Sequence, residues 1–235
     1  MTPPWEPGYL EVFTVLILFT ILYGAFHFRL LDPLIAMPFR RRIGGEEEQA
    51  FGVFINRLAG ILLLGVVPLV LLPLLFRLPL AEYGLSLRIE TRFFLLGAGI
   101  CLVAFPFLRL YARNPMNSES VPRARPPSWN ARYTTLNISS WALYLLAYES
   151  CLRGYLLFSL ARSMGSWPAI AVSTAIYVAI HLSRSIGEAG GSAVIGLVYG
   201  AIALSSGSIL IPVIIHIFIA VTVDQVAIGR RRGEG

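Results

Sequence analysis

Seven apolar stretches recur along this chain of 235 residues, at 9–28, 54–76, 93–111, 136–160, 167–183, 190–206 and 208–228. A helix rising 1.5 Å per residue needs about 20 apolar residues to cross ~30 Å of hydrocarbon, and backbone polar groups there must pair within helices or closed barrels. The pattern therefore predicts an all-α fold, a polytopic transmembrane helix bundle of about seven spans. Composition agrees with that class. The chain is 56% hydrophobic and 14% charged, with a mean hydropathy of +0.71, whereas soluble domains carry roughly 25% charged residues.

The charged residues that remain are informative by kind and by place. All 19 basic residues are arginine, and the net charge is +6. Without lysine there is no Lys nucleophile or Schiff base to consider. The arginines sit in short loops beside apolar spans, which points to membrane topology and lipid headgroups and not to nucleic acid. With the N-terminus outside, thirteen arginines fall on the inner side: Arg29, Arg40 to Arg42, Arg109, Arg113, Arg123, Arg125, Arg132, Arg184 and Arg230 to Arg232. Four fall outside: Arg77, Arg88, Arg92 and Arg162. The bias predicts an integral membrane protein with its N-terminus outside and its C-terminus cytoplasmic, and the arginine-only composition suggests a prokaryotic inner (plasma) membrane. The first apolar run has neither a basic stretch before it nor a small-residue cleavage site after it, so it reads as a retained span.

Three parts are expected along the chain. Residues 1–113 form a three-span part with an interfacial segment, in which Arg40 to Arg42 are followed by Gly-Gly and Glu46 to Glu48. Residues 114–135 form a cytoplasmic linker, because Asn114 to Asn130 is rich in Pro, Ser and Arg and reads as exposed. Residues 136–235 form a four-span core. Pro68 and Pro73 interrupt the second span and predict a kink. Gly196-x-x-x-Gly200 suits close helix packing, within the chain before between chains. Cys101 and Cys151 both lie in apolar spans, form no disulfide framework, and read as small packing residues.

The core carries groups that hydrocarbon penalises. Glu149 and Arg153 lie one helical turn apart, and two later spans carry His181 and His216. Ionisable side chains in a span cost a few kcal/mol, and they persist where they pair or work. A structural account is available for each: a buried ion pair for Glu149 and Arg153, and a backbone hydrogen bond for His181. His216 is deeper in its span. Asp224 shares a helix face with His216 and Ala220.

In order and spacing these residues resemble the CPBP intramembrane endopeptidases, the CAAX-processing and bacteriocin-processing (Abi) proteins. Tyr148-Glu149-Ser150-Cys151-Leu152-Arg153-Gly154 is similar to their first motif, E-E-x-x-x-R, which is commonly followed by Gly. Tyr177-x-x-x-His181 resembles the second motif, F-x-x-x-H. The run from Gly196 through Gly200, Gly207, Ser208 and Pro212 to His216 resembles the approach to the third, H-x-x-x-N/D. The likeness covers about residues 136 to 224, with Leu80-Ala81-Glu82-Tyr83-Gly84-Leu85 adding a general similarity. It implies a CPBP-like four-helix core and an endopeptidase acting on a membrane-associated or lipidated peptide. In the family the first glutamate and the second-motif histidine activate water, and the third motif helps hold the oxyanion.

Two positions depart from that pattern. Tyr148 stands where the first glutamate belongs, and a phenol with a reference pKa of about 10 is no base near pH 7. Ala220 stands where Asn or Asp belongs, and loss of one oxyanion donor costs on the order of 10²–10³ in rate. The resemblance then implies Glu149 with His181 on the water, His216 helped by Tyr148 on the oxyanion, and Arg153 orienting Glu149, with Tyr177 and Asp224 as neighbours. The open alternative is a catalytically degenerate relative that acts as a membrane scaffold or binds peptide or a partner membrane protein. A small transporter is a third class, disfavoured because the polar residues form one cluster. No cofactor is implied. Glu149, His181, His216 and Asp224 have zinc-compatible chemistry, but H-E-x-x-H is absent and the family is argued to work without metal.

Overall fold

A computed structural model of the chain describes residues 7–39, 47–114, 121–182 and 186–233. Arg40 to Arg42 and Arg184, used above to orient the chain, and Glu46 of the expected interfacial segment lie outside the described residues. Every regular element among those described is helical. The order is α1 (Pro7–His27), a short α2 (Asp32–Ala36), α3 (Glu47–Phe76), α4 (Thr91–Arg113), α5 (residues 131–164), α6 (Ser166–Leu182), α7 (Ile186–Ser206) and α8 (Leu210–Gly233).

Each expected span overlaps one of the seven longer helices, with three of them running one or two residues past a helix end. Five segments are long and apolar enough to cross a membrane: Gly8–His27, Glu47–Phe76, Thr91–Arg113, Ala189–Ser206 and Leu210–Arg230. α6 is apolar but shorter, and α5 carries the polar residues of the core. The protein is an integral membrane protein with an all-helical bundle fold. Large apolar side chains face outward along α4, among them Phe94, Leu95, Leu102, Val103 and Phe107. Lipid tails are as apolar as these side chains, so their exposure carries no hydrophobic penalty.

Two helices are locally widened to i→i+5 hydrogen bonding, α3 at Ile61–Val66 and α5 at Ser150–Leu156. In α3 the widened turn stands immediately before Pro68, which has no N–H to return to the preceding turn. The interruption expected at Pro68 thus takes the form of a wider turn, and the helix continues through Pro73 to Phe76. The two helices meet closely. A Cβ on Gly60 would lie 2.5 Å from the Tyr144 ring, and one on Gly65 would lie 2.8 Å from Ala147 Cβ. Around this contact Leu63, Leu64, Cys151, Leu152, Tyr155 and Leu156 form the buried core. Gly196 and Gly200 face Thr174 and Ile170 of α6, so the glycine pair serves packing within the chain.

α5 begins at Asn130, whose side chain accepts a hydrogen bond from Tyr133 N at 3.0 Å, a standard N-cap. Of the stretch read as an exposed linker, residues from 121 onward are docked against α3. Gln49 Nε2 donates to Arg123 O at 2.6 Å, and its Oε1 accepts from Arg125 N at 2.7 Å. Ala124 is fully buried between them. Polar composition signalled a loop, but one glutamine with two backbone partners is enough to fix it.

The α3–α4 connection bears directly on α5. Gly84 ends a 3-10 turn (Leu80–Tyr83) at φ +68°, its carbonyl accepts from Ile209 N at 3.0 Å, and a Cβ there would meet the Phe158 ring at 2.4 Å. Burial, then the nearby Glu11 carboxylate, pushes the Tyr83 hydroxyl up to about 12, so it stays neutral. Gly84→Ala is expected to destabilise the protein by about 1–3 kcal/mol, from left-handed strain and overpacking together. Thermal unfolding in detergent measures it, and an unchanged midpoint would contradict this placement of the loop.

Candidate functional site

The widened turn of α5 carries Glu149 at its entry and Arg153 inside it, both sealed from solvent. Glu149 Oε2 lies 3.4 Å from Arg153 Nη1, an ion pair with less than ideal hydrogen-bond geometry. Two aromatic rings take up the rest of the guanidinium's surroundings. Arg153 sits 4.1 Å from the centroid of Tyr177 on α6 and 5.6 Å from that of Tyr199 on α7. A cation between desolvated aromatic rings is stabilised by their quadrupoles, which explains how an arginine is accommodated at the centre of an apolar bundle.

The other carboxylate oxygen reaches α8. His216 Nδ1 is 2.6 Å from Glu149 Oε1. An ionised carboxylate only accepts, so Nδ1 carries the proton in this contact and Nε2 is the ring's acceptor when the imidazole is neutral. His181 is fixed in the same sense by its own helix, with Nδ1 at 2.9 Å from the Tyr177 carbonyl oxygen and its ring 4.5 Å from the Tyr177 ring. The carboxylate thus meets His216, while His181 meets backbone. Tyr148 packs edge-on to His216 at 6.2 Å between centroids and lies 6.2 Å from Tyr177.

Tyr148, His181 and His216 share one cavity of about 640 Å³. Its walls also include Tyr23, Phe26, Trp141, Tyr144 and Ile180, and an arginine-rich part of the lining is formed by His27, Arg29, Gln49, Arg57, Arg123 and Arg125. Glu149 lies behind this wall, fully buried. Ala220, one turn beyond His216 on α8, is partly exposed. Cys151, near Glu149 in sequence, packs in the apolar core.

Asp224 is drawn into a different cluster. Its Oδ2 accepts from Asn137 Nδ2 at 2.9 Å and Trp141 Nε1 at 2.7 Å. Asn137, in turn, accepts from Arg57, which spans to Ser140 as well and lies 4.0 Å over the Trp141 ring. The four-residue grouping of Glu149, His181, His216 and Asp224 is therefore not assembled around one point. Arg57 escaped the sequence reading, although an arginine inside an apolar span is the same signal that singled out Glu149 and Arg153. His27 and Gln49 had no such signal; only the tertiary fold brings them to the cavity.

Titratable side chains from three helices, Tyr148, His181 and His216, thus converge on one cavity inside the bundle. Residues 133–222 match the family model described as Type II CAAX prenyl endopeptidase Rce1-like. That segment, which holds the three motifs described above, is similar to intramembrane endopeptidases of the CAAX-protease kind. No curated protein and no solved structure matches the chain.

Proposed function

We propose that this protein holds a membrane-associated or lipidated peptide in the cavity beside His181 and His216, at a CAAX-endopeptidase-type site whose hydrolytic step is disabled at Tyr148. One observation carries the reading. The position where the family pattern has its first glutamate bears a tyrosine that lines the cavity, while the neighbouring carboxylate, Glu149, is buried behind it and held by His216 and Arg153. Carboxylate activation of a water needs the carboxylate at the water. Binding needs only a shaped, amphipathic cavity, and Tyr23, Phe26, Tyr144 and Ile180 supply apolar wall beside the polar end. The occupant is a membrane-anchored or prenylated peptide, or a segment of a partner membrane protein, met from the surrounding lipid. In this reading residues 136–235 are the core, and residues 1–113 close the cavity through α1 and α3. The arginine distribution supports an N-terminus outside and a cytoplasmic C-terminus, in a prokaryotic inner membrane.

Val53 lines the cavity from α3. Val53→Trp is expected to weaken binding of a fluorescent prenylated peptide to the protein in nanodiscs by about tenfold or more, since overpacking of 1–3 kcal/mol converts to that range. Equal affinity in variant and wild type would remove the cavity from the account.

A hydrolytic reading is favoured by one distance. The 2.6 Å contact from Glu149 to His216 is the arrangement by which a carboxylate orients an imidazole as general base. In that reading His216 takes the proton from water and Arg153 holds Glu149 in place. Peptide turnover abolished by His216→Ala is its signature.

A further inference from the structure

The arginine-lined end of the cavity differs in chemistry from the part lined by Tyr148, His181 and His216. Arg29 follows the end of α1, Arg57 lies on α3, and Arg123 and Arg125 come from the segment docked by Gln49. Two carboxylates stand behind this wall and are partly engaged. Asp32 pairs with Arg29 at 2.6 Å, and Asp224 is held by Asn137 and Trp141. Among the described residues this arginine-lined end gathers four guanidinium groups on the cavity wall, with Asp32 and Asp224 behind it. Arg57 shows how far the positive charge extends inward. It is 4% exposed, Nη1 is shared among Asn137 and Ser140, and Nη2 has no hydrogen-bond partner in the protein. Keeping a guanidinium in a spanning helix with one donor unanswered is costly. A compensating anion at this end lowers that cost.

From this arrangement we infer that the arginine-lined end of the cavity is a phosphate-group site, which takes the headgroup phosphate of an acidic phospholipid. Its place along the chain suits a headgroup: His27 ends the first candidate span, Arg29 follows it, and Tyr23 and Phe26 of that span join Tyr144 in the apolar wall. Clusters of arginine at the ends of spans attract anionic headgroups, and planar guanidinium groups match phosphate oxygens. The inference stands whether or not a peptide is bound or cut at the histidine end.

The test uses the full chain in nanodiscs of neutral phosphatidylcholine, with native mass spectrometry as readout. Titrated phosphatidylglycerol is expected to give one saturable lipid adduct. Arg123→Gln with Arg125→Gln, exposed positions whose backbone contacts to Gln49 survive the change, is expected to weaken it by at least about tenfold. Arg88→Gln with Arg92→Gln, on a different loop, is expected to leave it unchanged. Inorganic phosphate is run alone in a second arm. An adduct formed by phosphatidylglycerol and not displaced by inorganic phosphate identifies the lipid headgroup; displacement by inorganic phosphate identifies the free ion at the same site. An adduct indifferent to the Arg123 and Arg125 changes, or lost equally in the Arg88 and Arg92 variant, would overturn the site.

Discussion

Arg153→Ala is expected to cost about 3–5 kcal/mol and to leave little folded protein, because it strands a fully buried Glu149 carboxylate beside His216 without its guanidinium counter-charge. That is a large share of the 5–15 kcal/mol that typically separates folded from unfolded protein. Accumulation in the membrane and the thermal midpoint in detergent both report it. The double change Glu149→Leu with Arg153→Met is expected to recover most of the loss, since replacing both members of a buried pair by apolar groups of similar volume is often neutral. An Arg153→Ala protein with the wild-type midpoint would mean that the pair is solvated and not buried.

Tyr148→Glu is the change with the largest expected effect on chemistry. It places a carboxylate on the cavity wall that His181 and His216 also line. General-base catalysis contributes about 10²–10⁴ in rate, so cleavage of a prenylated peptide is expected to rise by that order over wild type. Adding Ala220→Asn supplies an oxyanion donor, with a further gain on the order of 10²–10³. Tyr148→Gln, similar in size to glutamate but without its charge, is expected to stay inactive. Equal activity in the Gln and Glu variants would show that the carboxylate is not what the site lacks.

Much of the fold was legible because a bilayer enforces a simple rule. Apolar length fixes helices, and five of the longer helices follow from it directly; α6 is shorter and α5 is interrupted by the polar residues of the core. What escaped was what depends on contact. The stretch after Asn114 was read as loose from its prolines and serines, and two hydrogen bonds to Gln49 dock its later half. Pro68 was read as a kink; the local answer is a widened turn in α3 that packs against the widened turn of α5. At the site, spacing alone put Glu149 and Arg153 together, because i and i+4 share a helix face. Spacing says nothing about which histidine a carboxylate meets across helices. The resemblance implied His181 as Glu149's working partner, and the geometry gives it His216. Asp224 shares a face with His216 yet turns to Asn137 and Trp141, because a buried carboxylate goes where donors are. Arg57 was the one omission that the sequence itself could have corrected.

The most direct measurement is the fate of a panel of membrane-anchored and prenylated peptides incubated with wild-type protein in nanodiscs, followed by mass spectrometry of both protein complex and peptide. The account predicts peptide bound and recovered intact, with binding weakened by Val53→Trp. Turnover by wild type that disappears in Glu149→Gln and His216→Ala would contradict it, and would make the buried Glu149 and His216 pair a working general base.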